Sequence, residues 1–216
     1  TVGTAPWAVA IGDVDGDGDN DIVSVNMTAS SVSVLKNNGN GTFAPKVDYP
    51  TGANPRSIAV GDIDNDGDLD IVVANSGSNT VTVLKNDGAG SFPVSNDFAS
   101  GSGPSSVALV DIDGSGYVDI VASLFTSSSI SVLKNNGSGG FLAAVPYLLG
   151  GSPWWSHVAD MDGDGGVDVV SVNSAASSTV QILQNAGSGT IALESSYPAG
   201  SYARGIVAAD LNNDGR

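Results

Sequence analysis

The sequence contains no cysteine, a single histidine and only seven lysine or arginine residues among its 216 residues. Without cysteine, the chain has no disulfide framework and no thiolate metal ligands. Seven basic residues are too few for a positive patch that neutralises phosphate groups, so we expect no nucleic-acid partner. No apolar run approaches the roughly 18 residues that a membrane-spanning helix needs, so we expect no insertion into a membrane.

Acidic residues, by contrast, are numerous and unevenly placed. The chain has 23 of them and a formal net charge of −16, yet only 14% of its residues are charged and 41% are hydrophobic. A chain with this apolar content can bury a core, which a disordered acidic chain cannot do. Of the 23 acids, 19 lie in five short clusters. The negative charge is therefore local.

The acidic clusters recur at a fixed interval and identify the chain as a tandem repeat. A second pattern, VSVLKNNGNGTF in the first copy, recurs with the same period. A shared period of this length is typical of stacked repeat units. The clusters begin at Asp13, Asp62, Asp111, Asp160 and Asp210, which are separated by 49, 49, 49 and 50 residues. We divide the chain into four copies and part of a fifth: residues 1–49, 50–98, 99–147, 148–197 and 198–216.

Each copy has the pattern of four short strands without helical periodicity, which predicts an all-β protein. The first strand follows a proline, the second is a β-branched run such as DIVSV, and the third alternates before a turn signal such as Asn-Gly. Both faces of the second strand carry apolar residues, so the copies must stack on one another. We expect tandem four-stranded antiparallel blades of about 49 residues that form a β-propeller, whole or in part. A linear, filamentous stack of blades is the alternative.

The acidic clusters share the pattern D-x-[DN]-x-[DNS]-G-x-x-D, which is typical of a loop that binds calcium. Alternate positions turn several oxygens inward, the glycine permits a sharp turn, and position seven can offer its backbone carbonyl. Position twelve is not glutamate, which excludes an EF-hand. The predicted side-chain ligands are Asp13, Asp15, Asp17, Asp21, Asp62, Asp64, Asp66, Asp70, Asp111, Asp113, Ser115, Asp119, Asp160, Asp162, Asp164, Asp168, Asp210, Asn212 and Asp214. Position seven is occupied by Asp19, Asp68, Tyr117 and Gly166.

The pattern predicts about four calcium ions, and a fifth if the last loop is completed. Ser115 replaces a carboxylate, so we expect the third site to be weaker. Without a cation, the clustered carboxylates would repel one another. We therefore expect each loop to be loose when it is empty.

The acidic loop, the D-I-V strand after it and the V-L-x-N-x-G-x-G-x-F hairpin together resemble FG-GAP/VCBS repeats. These repeats occur in integrin α-subunit propellers, fungal integrin-like lectins and many bacterial secreted or surface proteins. The resemblance covers essentially the whole chain. It implies a propeller blade with structural calcium between the first two strands, and an extracellular role in adhesion or ligand binding. Family propellers usually have about seven blades, whereas this chain has little more than four copies.

Other residues give weaker functional signals. Trp7 and Trp154 share one repeat position, and with Trp155 they could stack on a sugar ring or pack between blades. The lysines of the hairpin pattern are predicted to be solvated residues at strand ends: Lys36, Lys85 and Lys134. Glycosylation sequons begin at Asn26, Asn40 and Asn136, all in predicted turns. A single histidine and a single glutamate give little support to catalysis.

The sequence therefore predicts a non-catalytic, calcium-stabilised repeat scaffold that acts outside the cell, in adhesion or structural assembly. Two alternatives remain at this point: a carbohydrate-binding, lectin-like propeller, and a filament-forming surface protein that neighbouring subunits complete. The expected partner is a protein or glycan ligand at a cell surface, and self-association is a further candidate.

Overall fold

The computed structural model describes residues 1–209, which form sixteen β-strands and no α-helix. No helix in this part of the chain is long and apolar enough to cross a membrane. The strands are β1 (Pro6–Gly12), β2 (Asp21–Asn26), β3 (Ser31–Leu35), β4 (Val47–Pro50), β5 (Pro55–Gly61), β6 (Asp70–Asn75), β7 (Thr80–Lys85), β8 (Val94–Ala99), β9 (Pro104–Val110), β10 (Asp119–Leu124), β11 (Ser129–Leu133), β12 (Val145–Leu148), β13 (Pro153–Ala159), β14 (Asp168–Asn173), β15 (Thr179–Asn185) and β16 (Ile191–Pro198).

Four consecutive strands form each sheet, and every strand pairs antiparallel with its neighbour in the sequence. Each sheet begins at a proline. Proline has no N–H to donate to a neighbouring strand, and the first position of a strand is one of the few places in a sheet that tolerates it. The pairing of the first two strands is irregular in every sheet, with a register shift next to that proline. Each fourth strand ends one residue beyond the predicted boundary of its copy.

The sheets stack face to face through their first strands, since β1 contacts β5, β5 contacts β9, and β9 contacts β13. We call the face of a sheet toward the preceding copy its front face. Three apolar clusters fill the three junctions between successive sheets. No core cluster of the described residues joins the fourth sheet to the first. The four antiparallel four-stranded sheets have the architecture of part of a β-propeller. The predicted all-β blade architecture is confirmed.

The front face of the first sheet is the least covered surface of the stack. Val9 and Ile11 are 61% and 63% exposed, whereas Ile58 and Val60, at the equivalent positions of the second sheet, are half-buried. Ile22 of β2 is likewise only half-buried. Burial of both faces of the second strand is therefore confirmed in the last three sheets and incomplete in the first.

Candidate metal centres

The four acidic loops connect the first and second strands of their sheets: residues 13–20, 62–69, 111–118 and 160–167. They therefore lie at the same end of each first strand. Their position-six glycines adopt the left-handed conformation, with φ from +85° to +96°. A side chain would be strained there, so glycine allows the loop to turn back toward its first aspartate.

The aspartate at position one folds each loop through backbone hydrogen bonds. Asp62 Oδ2 accepts a bond from Gly67 N at 3.0 Å, and Asp62 Oδ1 accepts one from Asp66 N at 3.1 Å. Asp13, Asp111 and Asp160 accept the corresponding bond from the position-six glycine at 2.7–3.0 Å. This carboxylate organises the loop, and at Asp62 each oxygen accepts one of these bonds and keeps a second lone pair.

Each loop gathers carboxylates closely enough to hold one cation. Ligand oxygens of three aspartates lie within 4.8 Å of one another in each loop. Two of these carboxylates, Asp15 and Asp64, each have a buried Oδ1 without a hydrogen-bond partner in the described structure. A buried oxygen of this kind is costly unless a cation or water satisfies it. The four triads are Asp13, Asp15 and Asp17; Asp62, Asp64 and Asp66; Asp111, Asp113 and Asp119; and Asp160, Asp162 and Asp168.

The aspartate at position nine begins the second strand and is buried in every sheet: Asp21, Asp70, Asp119 and Asp168. Asp70 Oδ2 accepts a bond from Ile63 N at 3.1 Å, and its Oδ1 accepts one from Asn86 N at 2.8 Å. The same pair of bonds recurs in the other three sheets. This carboxylate therefore joins the acidic loop to the hairpin that follows the third strand.

Burial perturbs the acidity of these groups. It raises the pKa of Asp70 to about 6, against the opposing effect of the two backbone N–H donors. Burial also raises the pKa of Asp119. At Asp113, burial acts to raise the pKa, but hydrogen bonds from Lys134 and Ser115 outweigh it and leave the pKa below its usual value.

Positions five and seven differ among the loops. The position-five side chain accepts a bond from the position-seven N–H in all four loops, and Ser115 keeps this bond at 3.3 Å. Three aspartates predicted as side-chain ligands lie outside the triads of their loops: Asp21, Asp70 and Asp164. The Asp19 and Asp68 carboxylates point toward the hairpin glycines Gly39 and Gly88. Metal binding by the position-seven carbonyls, Tyr117 and Gly166 included, stays a prediction, and Asp210, Asn212 and Asp214 lie outside the described residues.

The repeated lysines are not simply solvated, and that prediction is wrong. Lys85 Nζ lies 3.1 Å from Asp64 Oδ2, and it also donates to Ser138 O of the next sheet at 3.2 Å. Lys36 and Lys134 repeat the arrangement with Asp15 and Asp113. Each lysine thus ties the position-three carboxylate of its own loop to the hairpin of the following sheet.

A second connection between sheets comes from a buried asparagine that the sequence analysis missed. Asn86 Nδ2 donates to Val14 O of the preceding loop at 2.7 Å and to Leu69 O of its own loop at 2.9 Å. Asn135 and Asn185 make the same pair of bonds. The signal was present, because this position is asparagine in all four copies while the residue after it changes.

The apolar residue at position two completes the junction. Val14, Ile63 and Ile112 are at most 2% exposed, and each belongs to the core cluster shared with the following sheet. Each acidic loop therefore carries one side chain of the next junction, so the order of the loop and the packing of the blades are coupled.

The tryptophans lie apart from the metal loops, at the opposite end of the first strands. Trp7 is 50% exposed, whereas Trp154 and Trp155 are half-buried. Trp154 packs edge-on against Phe125 of the third sheet, with ring centroids 5.3 Å apart. Packing between blades is therefore part of the role of Trp154, while Trp7 keeps a free ring surface.

The three sequons differ in accessibility. Asn26 is fully buried at the end of β2, where its side-chain amide donates to Ser31 and Ser33, so its predicted place in an accessible turn is wrong. A buried amide in these bonds cannot carry a glycan in the folded protein. Asn40 and Asn136 are exposed in hairpin loops.

Several solved structures resemble this fold at low sequence identity. An Agrocybe aegerita lectin that recognises non-reducing terminal N-acetylglucosamine matches with a TM-score of 0.56 and 23% identity, over 87% of this chain and 50% of the lectin. BBS1N, solved in complex with ARL6DN, matches with a TM-score of 0.64 and 15% identity, over 93% of this chain and 59% of BBS1N. The Photorhabdus luminescens Tc holotoxin pore matches with a TM-score of 0.54 and 21% identity, over 87% of this chain and 9% of the toxin chain. These identities show the fold alone, and the chain spans about half the length of the lectin.

The sequence itself matches one family model in four overlapping places. The model describes an FG-GAP-like repeat, and the matches cover residues 13–73, 62–122, 111–171 and 160–216. No curated protein sequence matches the chain. Every match begins at the position-one aspartate of a loop and ends in the second strand of the next copy, or at residue 216, so the model spans the junctions between blades described above. The chain belongs to the FG-GAP-like repeat family.

Proposed function

We propose that this chain is a calcium-stabilised extracellular repeat scaffold that acts in adhesion or structural assembly, without catalysis. The observation that carries the proposal is the double role of each acidic loop. The loop gathers three carboxylates within 4.8 Å, and it also supplies the carbonyl and the apolar side chain that the next sheet binds. An ion that orders the loop would therefore order the junction between blades.

The donor set favours calcium over other cations. All candidate ligands are oxygens, and each loop offers several of them at close range. Calcium accepts six to eight oxygens in flexible geometry, whereas magnesium demands a smaller octahedron and retains water. Extracellular modules bind calcium at about 10⁻⁴–10⁻³ M, which fits a protein that acts outside the cell. Bound calcium would also stabilise the folded state of a chain that has no disulfide to do so.

Calcium would act here by charge neutralisation and by fixing side chains. When bound, it supplies two positive charges to a loop whose carboxylates otherwise repel one another. Asp13 and its equivalents continue to accept backbone bonds within the loop, and Asp21 and its equivalents continue to hold the hairpin. These carboxylates are committed to backbone donors, which supports a structural role for them rather than a catalytic one.

Thermal unfolding with and without calcium tests this proposal. We expect EGTA to lower the Tm by many degrees, because a ligand at 100 times its Kd contributes about 2.7 kcal/mol per site. Magnesium should restore little of the loss. Asp66→Asn should reduce the calcium effect, whereas Glu194→Gln, which removes an exposed acid outside the loops, should not. An identical Tm in calcium and in EGTA would contradict the calcium role.

Carbohydrate binding is the second candidate function, and the exposed ring of Trp7 favours it. The likeness to a glycan-recognising lectin agrees with this candidate at the level of the fold. On a glycan array, a lectin should give a signal that Trp7→Ala removes. If the chain is a scaffold without lectin activity, neither the unmodified protein nor the Trp7→Ala variant should give a signal.

A further inference from the structure

One repeat position outside the metal loops brings aromatic and cationic side chains together. It is the second residue of each first strand, occupied by Trp7, Arg56, Ser105 and Trp154, with Arg204 next in the series. In each of the four sheets this residue has no partner in the register with the second strand, because the pairing shifts there. Such bulges re-aim a side chain, and they are frequent next to functional sites.

The structure places these side chains around one guanidinium. Arg56 Cζ lies 6.0 Å from the centre of the Trp7 ring and 5.6 Å from that of Trp154. Arg204 Cζ lies 4.8 Å from the Trp154 ring. Residues from the first, second and fourth sheets therefore meet at this point, together with a residue that follows the last strand.

The two arginines differ in charge environment from every lysine of the chain. All four lysines lie within 4.0 Å of an aspartate carboxylate. Within residues 1–209, neither Arg56 nor Arg204 has such a partner, and the buried Nε of Arg56 has no hydrogen-bond acceptor. Among the described residues of a protein with a net charge of −16, Arg56 and Arg204 therefore form a local cationic centre, and the Nε of Arg56 is a donor without an acceptor.

We propose that Trp7, Arg56, Trp154 and Arg204 bind an anionic sugar, meaning a pyranose that carries a carboxylate or sulfate group. The planar guanidinium fork matches the two oxygens of such a group, and stacking on indole holds the fork in place. The free surface of the Trp7 ring offers an apolar platform for the C–H face of the pyranose.

This site deepens the proposed adhesion role, and it rests on that role for a glycan ligand at a cell surface. It does not use the metal loops, which follow the far ends of the same seven-residue strands, about 20 Å away. Failure of the two proposals can therefore be told apart. Sugar binding tests the cluster of arginines and tryptophans, whereas the effect of EGTA on the Tm tests the metal loops.

Calorimetric titration of the calcium-loaded full chain tests the proposal. The ligands are glucuronate and glucose 6-sulfate, with glucose as the ring without an anion and inorganic sulfate as the anion without a ring. We expect at least one anionic sugar to bind at least tenfold more tightly than both controls. Binding of only one of them identifies the preferred anion and still supports the site. The proposal would be overturned if glucose or inorganic sulfate bound as tightly as the anionic sugars. It would also be overturned if neither anionic sugar bound.

Matched variants locate the binding. Arg56→Ala and Trp7→Ala should each weaken the anionic sugar at least tenfold, and Arg56→Lys should also weaken it because the planar fork is lost. Lys46→Ala removes the same charge at a distant ion pair and should leave the affinity unchanged. If Arg56→Ala unfolds the protein, the Trp7→Ala variant tests the location instead, because the Trp7 side chain is 50% exposed and its removal should leave the fold intact. Equal affinities for the Trp7→Ala and Lys46→Ala proteins would overturn the proposed location.

Discussion

At the residue scale, a single buried asparagine joins two neighbouring blades through its side-chain amide. Asn86 donates to carbonyls of two sheets, and its Oδ1 accepts from Gly88 N and Gly90 N at 3.1 Å. Asn37 holds the same position in the first copy, but within residues 1–209 its side-chain amide donates only to Asn20 O of its own sheet. The two residues therefore form a natural pair for comparison.

We predict that Asn86→Ala lowers the free energy of unfolding by about 2–3 kcal/mol, because it removes the donor to a buried carbonyl at Val14 and to a partly buried one at Leu69. Asn37→Ala should cost about 1 kcal/mol, since only one exposed bond to a carbonyl is lost. Urea unfolding in saturating calcium measures both. Equal costs would show that the bond from Asn86 to Val14 does not stabilise the junction.

The raised pKa of Asp70 predicts a pH dependence with a definite sign. Because its pKa is about 6 in the folded, calcium-free protein, against an ordinary value of 3.8, the folded state holds a proton that the unfolded state releases. The contribution of Asp70 to calcium-free stability is therefore lost as the pH rises from about 4 to above 6.

Calcium binding in this loop should show the opposite preference, since it favours the ionised carboxylate. We expect the affinity of the second loop to fall about tenfold between pH 7.5 and pH 5, where roughly a tenth of Asp70 is ionised. Calorimetric calcium titrations at the two pH values measure this. An affinity that does not change would show that Asp70 needs no deprotonation for calcium to bind.

Single residues were predictable from the sequence to the extent that their partners are close in the chain. The loop carboxylates could be found because their spacing falls within nine residues. The second role of Asn86 and Asn135 could not be found in this way, because each donates to a carbonyl 72 positions earlier. The buried state of Asn26 was also unpredictable, since a sequon gives no information about the strand that ends there.

At the scale of elements, the unit that folds together is a loop of one sheet and the hairpin and core of the next. Ile63 sits in an acidic loop, yet its side chain is fully buried among residues such as Ile120 and Leu133 of the following sheet. The pattern of strands was predictable from alternation and from the proline at each start. The assignment of the position-two residue to a neighbouring sheet was not, because periodicity says nothing about contacts between copies.

We predict that Ile63→Ala lowers the free energy of unfolding by about 2–5 kcal/mol, as expected for a cavity in a packed core. It should also weaken calcium binding in the second loop, because the loop loses its anchor. Ile11→Ala makes the same change at a side chain that is 63% exposed and should cost less than about 1 kcal/mol. A small cost for Ile63→Ala, or unchanged calcium affinity, would argue against coupling between the loop and the junction.

At the scale of the whole molecule, four blades stack through three junctions, and each junction contains an acidic loop from its earlier blade. The repeat period and the all-β architecture were predictable, because they follow from local patterns repeated along the chain. The uneven cover of the first sheet was not, since Val9 and Ile11 resemble their half-buried counterparts Ile58 and Val60 in sequence, and only their position before the first described sheet distinguishes them.

The most direct test of the central claim is amide hydrogen exchange of the full chain in calcium and in EGTA. The claim is that calcium in one loop stabilises the contact with the next blade. It predicts that chelation lowers protection in residues 62–69 and, to a similar extent, at Asn135 and Gly137 in the hairpin that contacts this loop. Exchange that is the same in both buffers, or that changes in the loop but not in the hairpin of the following blade, would contradict it.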